Sequence, residues 1–447
     1  MSKLIIRNAR LVNEGAITES DVLIEDERIA KIATSIKVDN NVCAIDAEGK
    51  FLIPGMIDDQ DHFREPGLTH KADLATESAA SVAGGITSFM EMPNVNPQTT
   101  NKDALKNKYG LAKDRCRANY SFYMGATNTN IEDIKSLEVN DACGIKAFLG
   151  ASTGDLLVDD PLALELLFEH APIIVVTHCE DTPLIRENEK KAREKYGDDV
   201  PMSEHPYIRS DEVCYRSSSS TYEQAKKYDA LLHILHLTTA KEMELFSNHH
   251  RSEKRITAEV CVHHLWFDES SYPEKGALIK CNPAIKKKSD REALIEALNS
   301  GKLDVIATDH APHTLEEKSG KYFDTPAGLP LVQHALPILF DLARKGEITH
   351  ELIVDKACHA PADLFGVIDR GYVREGYFAD LVIVDTEKSY KVTKDNILYK
   401  CQWSPFEGHA FSSSIQTTIV NGVIAYNDGK LTDSIPGKKL DFNRSRN

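Results

Sequence analysis

The chain has 447 residues, 41% hydrophobic and 27% charged, the proportions of an ordinary globular protein with room for one large unit and a smaller one. A formal net charge of −16, with no block of Lys or Arg to offset it, argues against a nucleic-acid partner. The nine cysteines stand singly, with no CxxC pair; "MSKLIIRNARLVNEG" has no uninterrupted apolar stretch and no run approaches eighteen apolar residues, so a cytoplasmic protein without a membrane partner is expected.

The first fifty residues carry alternating apolar and polar runs, "KLIIRNARLV", "DVLIEDERIAKI" and "CAIDAEGKFLI", separated by Gly, Asn and Asp turns. The pattern then changes to short apolar strands followed by helical spacing. Eight strands are predicted, at 56–62, 86–91, 119–124, 144–149, 173–178, 231–237, 256–261 and 304–309. Stretches such as "DPLALELLFEHA" and "SDREALIEALNSG" lie between them with helical periodicity, and the serine run in "SSSSTYEQAKKY" reads as a helix start. Toward the C-terminus "ADLVIVDTE" and "SIQTTIVNGVIAYNDGK" return to strand patterning. Neither terminal piece has enough strands for a stable sheet of its own. The expected fold is therefore α/β: a (β/α)8 TIM-like barrel over 54–369, with a small composite β-sandwich built from 1–53 and 370–447.

Barrel enzymes place their chemistry at the C-terminal ends of the strands. Four predicted strands end at or beside a metal-ligand type: His62, His178, His236 and Asp309. A single strand-end histidine is usually a hydrogen-bonded core residue, but four such coincidences on one rim point to a metal, and imidazole with carboxylate suits zinc. Lys146 lies inside the apolar strand "GIKAFL". A buried lysine needs a partner or a neutral form, and a salt bridge to a nearby carboxylate is one reading of it. In "PGMIDDQDHFREPG", alternation puts Gln60 on the face of His62 and sends Asp59 and Asp61 to the other, while Asp58 can reach the site from below.

Seven motifs together resemble the amidohydrolase superfamily and, within it, the dihydroorotases: "PGMIDDQDHFREPG", "EMPNVNP", "VTHCEDTPL", "LHILHLTT", "TAEVCVHHL", "ATDHAPHTLEEK" and "KCQWSPFEG". The resemblance runs over nearly the whole chain and implies zinc, one or two ions, as cofactor. It implies that His62, Lys146 (as a carboxylated bridging lysine), His178, His236 and Asp309 are metal ligands. His178 and His236 would hold the more exposed ion, and Asp309 would also serve as general base. Arg64, Asn94 and His313 match residues that bind a substrate carboxylate; Asn282, Ala327 and Gly328 match residues that contact the ring. The implied reaction is the reversible cyclisation of N-carbamoyl-aspartate to dihydroorotate in pyrimidine synthesis, by a homodimer. His263 and His264 are expected to position loops or pack, and His233 to belong to the core. Gln60 departs from the pattern: it stands where the family has its first metal-ligand histidine, and an amide oxygen is a weaker donor to zinc. Two rivals accompany this reading. One is a cyclic amidase of the dihydropyrimidinase or allantoinase kind, which has no need of the carboxylate clamp. The other is a non-catalytic dihydroorotase-like scaffold, which would be expected to lose several ligands and not one.

Overall fold

The computed structural model describes residues 2–39, 41–150 and 156–444; the extreme ends of the two predicted terminal segments, Met1 and 445–447, lie outside that range. Eight parallel strands follow one another in chain order: β1 (Met56–Asp61), β2 (Ile86–Glu91), β3 (Asn119–Phe122), β4 (Ile145–Phe148), β5 (Val175–His178), β6 (Leu232–Ile234), β7 (Ile256–Cys261) and β8 (Val305–Ala307). β1 pairs with β2 and β2 with β3. β4 through β8 pair in sequence, and the short strand Met124–Gly125 joins the end of β3 to β4. An Asp61–His310 bridge and a bond from the His62 amide to the His310 carbonyl (2.7 Å) bring the last strand back to the first. Nearly every residue of these strands is buried, as expected of parallel strands covered on one face by helices and filled on the other by side chains.

Local chemistry starts and stops the covering helices. Asp73 and Thr76 form a capping box on Leu74–Ala83. Pro161 occupies the first turn of Pro161–His170, capped by Asp160. Gly197, at φ 66°, ends Thr182–Tyr196. The serine run does not begin a helix. It lies inside Asp211–Lys227, whose cap is Ser210, and its hydroxyls bond back to carbonyls one turn earlier, Ser218 to Cys214 and Ser219 to Tyr215.

The terminal strands make one hydrogen-bonded sheet of nine, eight along a path and the ninth, Cys43–Asp46, pairing off it with Lys3–Asn13. Phe51–Pro54 pairs antiparallel with Leu381–Asp385 and so joins the two ends of the chain. Two runs read as single strands divide at residues in the left-handed region, Asp26 (φ 51°) and Glu48 (φ 50°). One face of the sheet, including Val12, Phe51 and Ile53, packs into the main core; the other, with Leu4, Ile6, Val22, Leu52, Leu381 and Ile383, builds a core of its own. Ile29 and Gly422, far apart along the path, both hydrogen-bond the segment 377–379, so the sheet folds over toward itself. Among the described residues no helix is long and apolar enough to cross a membrane.

Candidate active site

At the C-terminal ends of the strands a cavity of about 100 Å³ is lined by Gln60, His62, Arg64, Asn94, Lys146, Phe148, His178, His236, Asn282, Asp309, Ala311, Ala327 and Gly328. Every ligand and substrate-binding residue expected from the sequence lines it except His313, which stands directly behind Arg64. Three of these residues, Arg64 (φ 70°), His236 (φ 39°) and Asp309 (φ 49°), lie just beyond the strands in the left-handed region. Side chains rarely adopt that conformation, and here it turns three strand exits into the cavity.

His178 and His236 face each other. His178 Nε2 is 2.9 Å from the Glu180 carboxylate, and its other nitrogen, Nδ1, lies 2.9 Å from His236 Nε2. Glu180 in turn pairs with Arg209. A carboxylate that fixes one ring nitrogen so that the other faces a second imidazole is the arrangement metal-ligating histidines use. Burial lowers the pKa of both rings, which keeps them neutral and able to ligate.

Lys146 Nζ sits over the Phe148 ring at 4.7 Å, and no hydrogen bond or ion pair reaches it from the described residues. Among the described residues the salt-bridge reading of this lysine therefore finds no carboxylate. Burial pulls the amine down to about 8. This donor set, two neutral imidazoles and an amine near neutrality, fits a divalent transition ion with zinc-like preferences.

The other half of the cavity gathers on one oxygen. Asp309 Oδ1 accepts from Gln60 Nε2 (3.1 Å) and lies 3.1 Å from His62 Nε2. The Gln60 carbonyl oxygen is turned away, 3.8 Å from the Cys261 thiol. His62 Nδ1 meets Asn94 Oδ1 at 2.8 Å, which leaves the Asn94 amide nitrogen for a ligand. This half is no deeper than the other: His62 and Asp309 are 9% and 8% exposed, His178 and His236 5% and 2%.

Asp58 is not a ligand from below. It accepts from the Thr308 amide (3.0 Å) and hydroxyl (2.6 Å), tying β1 to the end of β8. Asp59 and Asp61 do not share the outer face either. Pairing slips between Asp58 and Asp61, so Asp61 also turns to Thr308 while Asp59 turns to His233. Strict alternation fails because an irregularity in the strand breaks the period of two.

Arg64 is buried; its Nε donates to the Pro312 carbonyl, and burial lowers its pKa to about 10. His313 lies 3.1 Å from the Arg64 guanidinium, with Nε2 on the Ala327 carbonyl (3.0 Å) and Nδ1 facing Lys71 Nζ (3.0 Å). The loop around it is pinned: Lys318 donates to the carbonyls of Lys280, Pro326 and Gly328, and Trp403 donates to the His313 carbonyl. His264 holds the Pro283 carbonyl, and His233 is fully buried. Sequence reasoning passed over Glu180, Arg209 and Lys71. A carboxylate two residues after a strand-end histidine was a usable signal for Glu180; Arg209 reaches Glu180 from another segment, and Lys71, on the same loop as Arg64, meets His313 only through the fold, so neither left one.

A family model described as "Amidohydrolase family" matches residues 51–425. A dihydroorotase of Bacillus cereus is 33% identical over 438 residues, 94% of this chain and 98% of that protein. Among solved structures, an L-hydantoinase (dihydropyrimidinase) from Arthrobacter aurescens superposes with a TM-score of 0.93 at 25% identity, over 99% of this chain and 100% of its own. A dihydropyrimidinase from Brevibacillus agri reaches 0.90 at 23% identity, covering 98% of each chain.

Proposed function

The chain belongs to the amidohydrolase family, and from that premise we propose that it is a zinc-dependent dihydroorotase, a hydrolase of cyclic amides that interconverts N-carbamoyl-aspartate and dihydroorotate on a (β/α)8 barrel. One observation carries the choice of substrate: the buried Arg64 opens onto the same cavity as the His178–His236 pair. Dihydroorotate differs from dihydrouracil by its carboxylate, and a fixed guanidinium is the side chain that holds such a group bidentately.

The division of labour follows from position. Arg64 takes the carboxylate, with the Asn94 amide nitrogen completing the set; the Pro312 carbonyl, accepting from Nε, keeps the guanidinium in place, and His313, held by Lys71 and Ala327, packs behind it. Asn282, Ala327 and Gly328 present the far wall to the ring. His178, His236 and Lys146 would hold zinc, with His62 and Asp309 across the cavity. A zinc ion there would supply Lewis acidity toward the ring carbonyl and lower the pKa of water. Asp309 accepts the proton of the attacking water and delivers it to the departing ring nitrogen, and the reverse sequence closes the ring. Gln60 and His62 converge on Asp309 Oδ1, so the other oxygen is the one free to carry that proton. Carboxylation of Lys146, a homodimer and a cytoplasmic setting belong to the same proposal; the dimer rests on the family resemblance alone.

The dihydropyrimidinase reading is favoured by the structural neighbours. Dihydroorotate, dihydrouracil and hydantoin should be assayed side by side with the zinc-loaded chain. Turnover confined to dihydroorotate supports the proposal; preference for the uncharged rings overturns it, and no turnover at full zinc content favours a scaffold.

A further inference from the structure

The strongest anomaly in the molecule lies outside the cavity, one step further into the ring. Asp59 on β1, His233 on β6 and Glu259 on β7 are each 0% exposed and face one another. Among the described residues neither carboxylate oxygen of Asp59 has a hydrogen-bond partner, nor has Glu259 Oε2 or His233 Nε2. His233 Nε2 is 3.4 Å from Asp59 Oδ2 and 3.7 Å from Glu259 Oε2. Its Nδ1 lies 2.8 Å from the Thr257 hydroxyl, and that hydroxyl is directed at the Leu232 carbonyl at 3.3 Å. A ring proton therefore belongs on Nδ1, and Nε2 faces the two carboxylates.

An arrangement of bare acceptors sealed from water is unstable unless something positive sits among them. Without an ion, burial lowers the pKa of His233, but Asp59 and Glu259 outweigh it and raise the pKa to about 9, so a second ring proton is the ion's competitor; one N–H still cannot satisfy three orphaned oxygens. Both separations also exceed the 2.7–2.9 Å of a charge-assisted hydrogen bond. The shorter one matches the edge between two ligands of a tetrahedral ion, about 3.4 Å for bonds of about 2.0–2.1 Å, and the longer exceeds it by about 0.3 Å. The three ligand atoms lie within 4.8 Å of one another. Two carboxylates and a neutral imidazole also balance the charge of one divalent cation.

We propose that Asp59, His233 and Glu259 form a second, structural metal site that holds one zinc-class divalent ion inside the ring, separate from the catalytic cavity. Its link to the cavity is Glu259, whose other oxygen accepts from the His236 backbone amide (2.9 Å) and lies 3.4 Å from the Cys261 thiol. An ion on Glu259 thus helps hold His236 in its left-handed conformation. The ion enters as the ring closes during folding, because no side chain of the triad reaches solvent.

The test is zinc anomalous diffraction from crystals of the full chain loaded with zinc, together with elemental analysis of the same preparation. A peak between Asp59, His233 and Glu259 is expected, resolved from any peak at His178 and His236. Zinc content should fall by one equivalent in both Asp59→Asn and His233→Gln. A map with density at the cavity and none at the triad overturns the proposal, as does unchanged zinc in folded variants. If the variants fail to fold, the map of the natural chain decides. The result is independent of which cyclic amide the chain hydrolyses.

Discussion

Arg64 is the residue on which the choice of substrate turns. Replacing it by Gln should lower kcat/KM for dihydroorotate roughly a hundredfold or more, the loss of a charge-assisted bidentate contact of about 3 kcal/mol. Any activity on dihydrouracil should change little, because that ring has no carboxylate to lose. Steady-state kinetics on both substrates check this, and an equal loss on both would assign Arg64 a structural role. Gln60 offers a sharper comparison. Its amide nitrogen already donates to Asp309 and its oxygen faces Cys261, so this half of the cavity is short of one ligand. Gln60→His should raise the zinc content by one equivalent, as read by elemental analysis. Glu180 carries a pH signature. Burial pushes its carboxyl up, but Arg209 and His178 outweigh that and hold it near 2, below the ordinary 4.5. The native carboxylate thus stays ionised where the unfolded one has taken up a proton. Its stabilisation, about 3 kcal/mol, is complete above roughly pH 5 and is lost as the pH falls toward 2. Urea unfolding between pH 5 and 3 should show a shallower decline in Glu180→Gln than in the natural chain.

At the scale of elements, the junction of first and last strands governs both stability and site. Asp58 holds Thr308 through its amide and its hydroxyl, and Asp61 lies 3.4 Å from the same hydroxyl. Thr308 directly precedes Asp309, so this contact places the carboxylate proposed as general base. Thr308→Val leaves a buried carboxyl without its hydroxyl partner and should cost about 1–3 kcal/mol in urea unfolding, with a parallel fall in kcat. The loop between β8 and the following helix depends on a different device. Gly328 has φ 143°, and a Cβ there would meet the Ala311 carbonyl oxygen at 2.3 Å. Gly328→Ala should therefore destabilise the chain by roughly 2 kcal/mol and raise KM by displacing the cavity wall. Unfolding and kinetics measured together would show both; normal stability and KM would mean that the loop relaxes freely.

For the whole molecule, eight parallel strands gather residues from Gln60 to Gly328 into one cavity, and metal binding should couple to its stability. Zinc at a thousand times its dissociation constant is expected to add about 4 kcal/mol per ion, seen as a higher Tm that a chelator reverses. Sedimentation equilibrium checks the homodimer: a mass of 49.8 kDa would refute it. Much of this arrangement is legible in the amino-acid order. Strand-end residues such as His62, His178, His236 and Asp309 can be read because parallel strands alternating with helices bring their C-terminal ends together by topology. The amidohydrolase motifs add Lys146 and Arg64. The contacts that orient them depend on folding: Glu180 with Arg209, Lys71 with His313, and Gln60 turned by Asp309 and Cys261. Asp59 misleads, because alternation assumes a regular strand and β1 is irregular at that point. By itself, then, the sequence determined the order of elements, the ligand types at the strand ends and the family, since all three are local patterns. Only the tertiary structure decided which way Gln60 turns, what steadies His178 and His313, and where Asp59 meets His233 and Glu259. Except for Glu180, which adjoins His178 but is paired from another segment by Arg209, each of those is a contact between segments far apart in the chain, set by packing and by one slip in register, and neither leaves a mark in local periodicity.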